Sequence, residues 1–382
     1  MSRLNQLIQE LCPDGVEYKK LGDICTFKRG TSITKKDIVE GDIPVIAGGQ
    51  EPAYYHNQAN RTGETVVISS SGAAGFVSYW EQPIFVSDAF SVEPNGKILT
   101  KYLYYFLKSK QDKIYSLQKT GGVPHVYSTD IAPLKIPLPL LPVQQEIVRI
   151  LDTFTELIKE LNAELEARRK QYEYYRNLLL TFDDARKKRL NIKWMRLGEI
   201  GRISMCKRIM KVQTTPEGEV PFYKIGTFGG IPDAYISKEL YEEYKSKYPF
   251  PKKGDVLISA SGTIGRTVIY DGKPAYFQDS NIIWVDNDEK IVLNKYLYYY
   301  YQLQPWKVST GGVIKRLYNY NLEQTVIAVP PLEEQQRIVN ILDRFDTLIN
   351  DPITGIPAEI EARKKQFKYY LNKLLDFKEV SS

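Results

Sequence analysis

QQEIVRILDTFTELIKELNAELEARRKQYEYYRNLLLTF, residues Gln144–Phe182, is the longest stretch without Gly or Pro that keeps one apolar period. One seam reads Leu151, Ile158, Leu165, Tyr172 and Leu179, and the interleaved seam reads Phe154, Leu161, Arg168, Tyr175 and Phe182. Only Arg168 breaks a 3.5-residue repeat, the mark of a coiled-coil stripe. The same register returns near the C-terminus as Leu342, Phe345 and Ile349, then Ile360, Arg363, Phe367, Tyr370, Leu374 and Phe377. AELEARRKQYEYYRNLLLTF (Ala163 to Phe182) and AEIEARKKQFKYYLNKLLDF (Ala358 to Phe377) align without a gap and agree at most positions. A shared heptad would not force that agreement, so the two are copies of one element.

The ILD triplets at Ile150 and Ile341 lie 191 residues apart, half of the 382-residue chain, which predicts a tandem duplication. Between the helices the copies diverge but keep landmarks. TVVISSSGAAGFVSYW and DVLISASGTIGRTVIY each predict two short strands around a glycine turn, with Ser71–Gly72 and Ser261–Gly262 as structural turns. IFVSDAFSV and AYFQDSNIIWV each predict one further strand, aligning Asp88 with Asp279. LTKYLYYFLKS and LNKYLYYYYQL predict matching helices. The turns TGGVPHVYSTD and TGGVIKRLYNY then lead to an apolar strand and a proline-rich exit into the long helices, and this match sets His125 against Lys315. VEYKKLGDICTF and NIKWMRLGEIGRI predict the strands that open each domain, and align the N-terminal helix with the segment around Leu180–Lys187.

Together these features predict an α/β protein with two homologous mixed α/β domains joined by two long antiparallel coiled-coil regions, circular and pseudo-twofold. The expected bounds are 1–139, 140–188, 189–329 and 330–382. The second copy carries NDPITGIP after Ile349, and Pro352, Gly355 and Pro357 predict a helix break with resumption near Ala358.

Composition narrows the function. Cys12, Cys25 and Cys206 form no CxxC pair, and only His56 and His125 are histidines, so no metal site is expected and the thiols read as reduced in a cytoplasmic protein. No apolar run approaches the length of a membrane span. A net charge of +6 is compatible with nucleic acid. The 28 tyrosines supply rigid contact area with a hydrogen bond, which suits a recognition surface. Catalytic signatures are missing: Val329 precedes the single Pro330–Pro331 pair where an adenine methyltransferase would have Asn, and no Gly-rich loop ends in Gly-Lys-Ser/Thr. PDGVEYK spaces its acidic residues too closely for a nuclease and reads as a turn. No catalytic residue is assigned.

The basic clusters Lys28–Arg29, Lys35–Lys36 and Lys207–Arg208 with Lys211 follow the opening strands. They are either a solvated face or cations that neutralise phosphates, which sets affinity but not sequence. Arg266, Lys315 and Arg316 are candidates for guanine contact in a major groove. His125 and Tyr127 lie in a loop that differs between the copies, either solvated or in contact with DNA. Arg168, Tyr174, Tyr175, Arg363, Tyr369 and Tyr370 either cover the helical seam or meet partner helices.

The duplicated PPLEEQQRIVxILD and GIPAEIEARKKQ segments, the LCPDGVEYKKLGDI opening and the two TGG turns resemble the specificity subunit of type I restriction-modification systems, over nearly the whole chain. That resemblance implies a non-catalytic subunit whose two recognition domains each read half of a bipartite double-stranded DNA target. It implies helical regions that dock two methyltransferase subunits, with restriction or motor subunits joining through the complex. S-adenosylmethionine, ATP and Mg would belong to those partners, with no cofactor in this chain. The first helix departs from the commoner pattern in lacking the Pro and Gly break. Independently, 40 helical residues at 1.5 Å each make a ruler of about 60 Å. That is DNA scale, since a duplex turn is about 34–36 Å. The competing expectations are an autonomous DNA-modifying or cutting enzyme and a coiled-coil scaffold that binds protein alone.

Overall fold

The structure, a computed structural model, describes residues 3–119, 122–308 and 315–380. The chain divides into two compact units, one up to Ala163 and again from Ala358 onward, the other Glu164–Pro357.

The first unit begins with α1 (Arg3–Leu11), whose Leu4 is buried, and β1 (Tyr18–Lys20). The segment expected to continue as a strand instead forms a helical turn, α2 (Leu21–Ile24), before β2 (Cys25–Arg29). The turn lets Leu21 and Gly22 donate backbone bonds to Leu134 and Ala132, which a straight strand could not reach together. Next come β3 (Ile43–Ile46), β4 (Tyr54–His56), β5 (Thr65–Ser69) and β6 (Val77–Trp80). IFVSDAFSV is not one strand but two, β7 (Phe85–Val86) and β8 (Ala89–Pro94). The bend between them moves the chain from one sheet to another: β7 pairs parallel with β3, whereas β8 pairs antiparallel with β2 and β5. The helices α3 (Thr100–Ser109), α4 (Gln111–Ser116) and α5 (Ser128–Ile131) precede β9 (Lys135–Pro137), which pairs with β1. The sheets run β2-β8-β5-β6, β4-β3-β7 and β1-β9.

Helix α6 (Leu141–Leu180) is a single element of 40 residues that contributes to both units. After it the chain repeats itself with α7 (Asp184–Leu190), β10 (Lys193–Arg196), α8 (Leu197–Ile200), β11 (Arg202–Ser204), β12 (Val220–Tyr223) and β13 (Tyr235–Ile236). A helix without counterpart, α9 (Lys238–Lys247), is followed by β14 (Val256–Ser259), β15 (Thr267–Ile269), β16 (Tyr276–Phe277), β17 (Ile282–Asp286), α10 (Asn294–Tyr301), α11 (Asn319–Glu323) and β18 (Val326–Val329). Here too one expected strand is split, into β16 and β17. The sheets β11-β17-β14-β15, β13-β12-β16 and β10-β18 reproduce the first unit strand for strand. The expected fold class therefore holds: two mixed α/β units in tandem, with long helices following each.

Helix α12 (Leu332–Asn350) ends at the predicted break, and α13 (Ile356–Lys373) resumes two residues before Ala358. Asp351 Oδ1 accepts the Ile353 and Thr354 amides at 2.7 and 2.9 Å, a side-chain turn that replaces the helical ladder. A Cβ on Gly355 would stand 2.7 Å from the carbonyl oxygens of both Thr347 and Asp351, so this residue must be glycine.

The seam departs from the strict heptad toward the helix ends. Leu151, Leu165 and Tyr172 are buried as expected, but the next deeply buried residue is Leu180 rather than Leu179. In α13, Leu371 is buried where Tyr370 was expected, and Leu375 just beyond the helix takes the place of Leu374. An α-helix drifts by about 20° per heptad against a 3.5 repeat, and Leu371 and Leu375 pack into the core of the first unit.

The α/β domain of each unit is fastened to its helix by the same bonds. Gln144, fully buried, accepts the Leu99 amide at 3.0 Å and donates to the carbonyls of Lys97 and Pro139 at 3.0 and 2.8 Å. Gln335 accepts from Leu293 and donates to Ile291 and Pro330, each at 2.8 Å. The Tyr105 hydroxyl donates to Asp152 at 2.6 Å and Lys101 pairs with the same carboxylate at 3.2 Å. Tyr299 and Lys295 do likewise on Asp343, at 2.5 and 2.7 Å. In the first unit the chain's last segment closes on its opening: Val16 donates to Lys378 O at 2.8 Å, Val380 to Val16 O at 3.1 Å, and Tyr18 Oη to Phe377 O at 2.8 Å.

Candidate nucleic-acid interface

In the second unit the loop after β11 carries Lys207, Arg208 and Lys211, and the segment before α11 carries Lys315 and Arg316. Pairing of β11 with β17 and the backbone bond from Leu317 to Ala260 bring these distant segments to a cleft of about 700 Å³. Arg208, Lys211 and Arg316 line it with Lys224, Asp233, Gln278, Asp279 and Asn281, over an apolar wall that includes Ile209, Phe222 and Ala234. Arg208 Nε donates to Asp279 Oδ2 at 2.8 Å, and Arg316 Nη2 donates to the Ser280 carbonyl at 2.5 Å with its guanidinium 5.9 Å from the Tyr318 ring centre. Lys224 Nζ pairs with Asp233 at 2.8 Å.

The other candidates of this unit lie outside the cleft lining. Arg266 follows the left-handed Gly262 and Gly265 (φ +63° and +85°), and its Nη1 donates to Phe228 O at 2.8 Å. Lys207 sits 5.0 Å from the Tyr248 ring centre, and Lys315 is exposed.

In the first unit Lys28 pairs with Glu93 at 2.5 Å, and the largely buried Arg61 donates to the carbonyls of Lys28 and Arg29 at 3.2 and 3.1 Å. Arg29, Lys35 and Lys36 are exposed. His125 and Tyr127 stack at 6.1 Å, and Lys119 reaches over the Tyr127 ring at 5.0 Å while pairing with Asp130 at 3.1 Å. Thr120, Gly121 and 309–314, the greater part of the two TGG turns, lie outside the described residues. The structure also corrects the pairing of these loops. Val126 donates to Ser70 O at 3.0 Å as Leu317 donates to the equivalent Ala260 O at 2.8 Å, so His125 corresponds to Arg316, not Lys315. One additional residue in the second loop accounts for the shift.

On the helices, Tyr370 stacks on Phe154 at 5.3 Å within the first unit, and Tyr175 stacks on Phe345 at 5.6 Å within the second. The two contacts are counterparts. Tyr174 and Tyr369 are 63% and 58% exposed, the most open of the repeated tyrosines. Arg168 and Arg363 are satisfied inside their own helices, by Glu164 and Gln171 and by Glu359 and Gln366 respectively.

The family model for the type I restriction modification DNA specificity domain matches residues 13–167 and again 191–362. The chain belongs to the type I DNA specificity family. It is 44% identical to a putative type I restriction enzyme specificity subunit of Haemophilus influenzae, across 95% of this chain and 96% of that one. It is 28% identical to a type I restriction enzyme specificity subunit of Escherichia coli, covering 99% and 98%. The crystal structure of a type I system S subunit from M. genitalium shares the fold with a TM-score of 0.59 at 19% identity, covering 94% and 96%.

In this type I specificity chain, sequence alone did not place Lys224 and Gln278 in the cleft, Lys119 over Tyr127, or Asp279 against Arg208. Asp279 had a signal, its alignment with Asp88, which accepts from the Ser71 hydroxyl instead. Lys224 and Lys119 had none, because lone lysines outside a cluster look like any solvated surface. Among the described residues, no group of three or more His, Cys, Asp or Glu could hold a metal ion, and no helix is long and apolar enough to cross a membrane.

Proposed function

We propose that this specificity protein is non-catalytic, that each unit reads one half of a bipartite double-stranded DNA target, and that α6 with α12 and α13 sets the unread gap. One observation carries the reading: the three sheets and the glutamine and tyrosine joints of one unit recur strand for strand in the other, while the cation-bearing loops differ between copies. A scaffold held constant under two different surfaces is what recognition of two different half-sites requires. Lys28, Arg29, Lys35, Lys36, Lys207 and Lys211 neutralise phosphates, while Arg266, Lys315, Arg316, His125 and Tyr127 approach base edges. Tyr174 and Tyr369, with Arg168, Tyr175, Arg363 and Tyr370 beside them, form two pseudo-equivalent helical faces for two methyltransferase subunits. Restriction or motor subunits join through that complex, and S-adenosylmethionine, ATP and Mg act there. The protein works in the cytoplasm, where its DNA is.

The test is a methylation map of cells expressing this chain with its neighbouring methyltransferase subunit, beside assays of the purified chain alone. A two-part motif with a constant gap is expected, together with no methyl transfer or cleavage by the chain alone. Activity of the isolated chain would favour an autonomous enzyme, and a folded complex without any motif would favour a scaffold.

A further inference from the structure

The geometry points to Arg208 and Arg316 as a buttressed pair that reads a G·C base pair in the half-site of the second unit. This rests on the reading above that each unit takes one half-site. The two arginines lie far apart in sequence, yet they are anchored on consecutive residues: Arg208 on the Asp279 carboxylate at 2.8 Å, and Arg316 on the Ser280 carbonyl at 2.5 Å. Both line the same cleft. Ser280 is held at φ +59°, a conformation side-chain-bearing residues seldom adopt, so the anchoring dipeptide is fixed by its surroundings.

The Arg208 side chain is 66% exposed and Asp279 only 15%, so the contact satisfies a largely buried carboxylate and at the same time orients an open guanidinium. With Nε occupied by Asp279, the two terminal amines of Arg208 have no other hydrogen bond among the described residues and present a planar fork. A guanidinium fork grips phosphate oxygens as well as base edges, and the variants below separate the two. A fixed fork matches the O6 and N7 acceptors of guanine. The first unit lacks this device, since Asp88 accepts from Ser71 and His125 stands where Arg316 does. Arg208, read from sequence as a phosphate contact, is thereby assigned to base reading, and in one half-site only.

The test is the methylation map of the full complex carrying Arg208→Gln, Arg208→Lys, Arg316→Gln or Asp279→Asn. In the wild-type map, the half-site altered by exchanging residues 192–329 is expected to contain a G·C pair; a half-site of A·T pairs alone would overturn the proposal. Each arginine variant should relax discrimination at a G·C position about 10-fold or more, with the other half-site and the gap unchanged. Arg208→Lys keeps the charge and loses the fork, so it too should relax the motif, and Asp279→Asn should do so more weakly. An unchanged motif with evenly reduced occupancy in Arg208→Lys would make Arg208 a phosphate contact and end the proposal, even if Arg208→Gln abolished methylation. Absence of any two-part motif in the wild type is a separate failure, that of the half-site reading itself, and is seen before any variant is made.

Discussion

Cys25 and Cys206 show how burial shapes a side chain's chemistry. Removal from water pushes both thiols up to about 12, because the thiolate loses solvation that no neighbouring cation replaces. At pH 8 both are therefore protonated and should not react with a thiol-specific disulfide reagent until the chain unfolds. Rapid modification of either in the folded protein would contradict the packing described. The unfolded thiols ionise first, so their contribution to stability is complete below about pH 8.5 and declines as pH rises toward the folded value. Residue types were legible in the sequence, including the free thiols and the cations, but their partners were not. Arg208 looked like one cation of a cluster until the fold brought Asp279 against it, across 71 positions of sequence.

At the scale of elements, periodicity and punctuation carried furthest. The long helix, the Pro-Gly break and the glycine turns are local consequences of residue type, and all were legible. The α2 and α8 turns and the split of β7 from β8 were not, because each depends on which distant strand accepts the backbone bonds. Neither Gln144 nor Gln335 stood out, since a glutamine at a helix start is usually solvated. Yet Gln335 is fully buried and serves three backbone groups. Replacing it with Leu leaves these groups without partners, at a cost of about 1–3 kcal/mol each before relaxation. Urea unfolding of Gln335→Leu should show a loss of about 3 kcal/mol or more, and a loss under 1 kcal/mol would mean the joint is not what fastens the domain. On the exposed helical faces, Tyr174→Ala and Tyr369→Ala should leave unfolding nearly unchanged and weaken methyltransferase binding, as read by titration calorimetry. Unaltered affinity would remove those faces as docking sites.

For the whole molecule, the duplication decides both fold and function. Two units of identical sheet order share one uninterrupted helix, so the length of α6 is a quantity that neither recognition surface can adjust. Four residues inserted after Asn162 lengthen the helix by about 6 Å, or about two base-pair steps. The inserted variant should keep both half-sites and methylate targets whose gap is longer by about two base pairs. A gap that did not change would assign the spacing to something other than this helix.

The most direct measurement is therefore the methylation map of the chain with its methyltransferase subunit, wild type beside a variant in which residues 192–329 are exchanged for those of a relative. The expected result is a two-part motif with one constant gap, in which the exchange rewrites one half and spares the other. Rewriting of both halves, or no sequence preference from a folded and assembled complex, would contradict it.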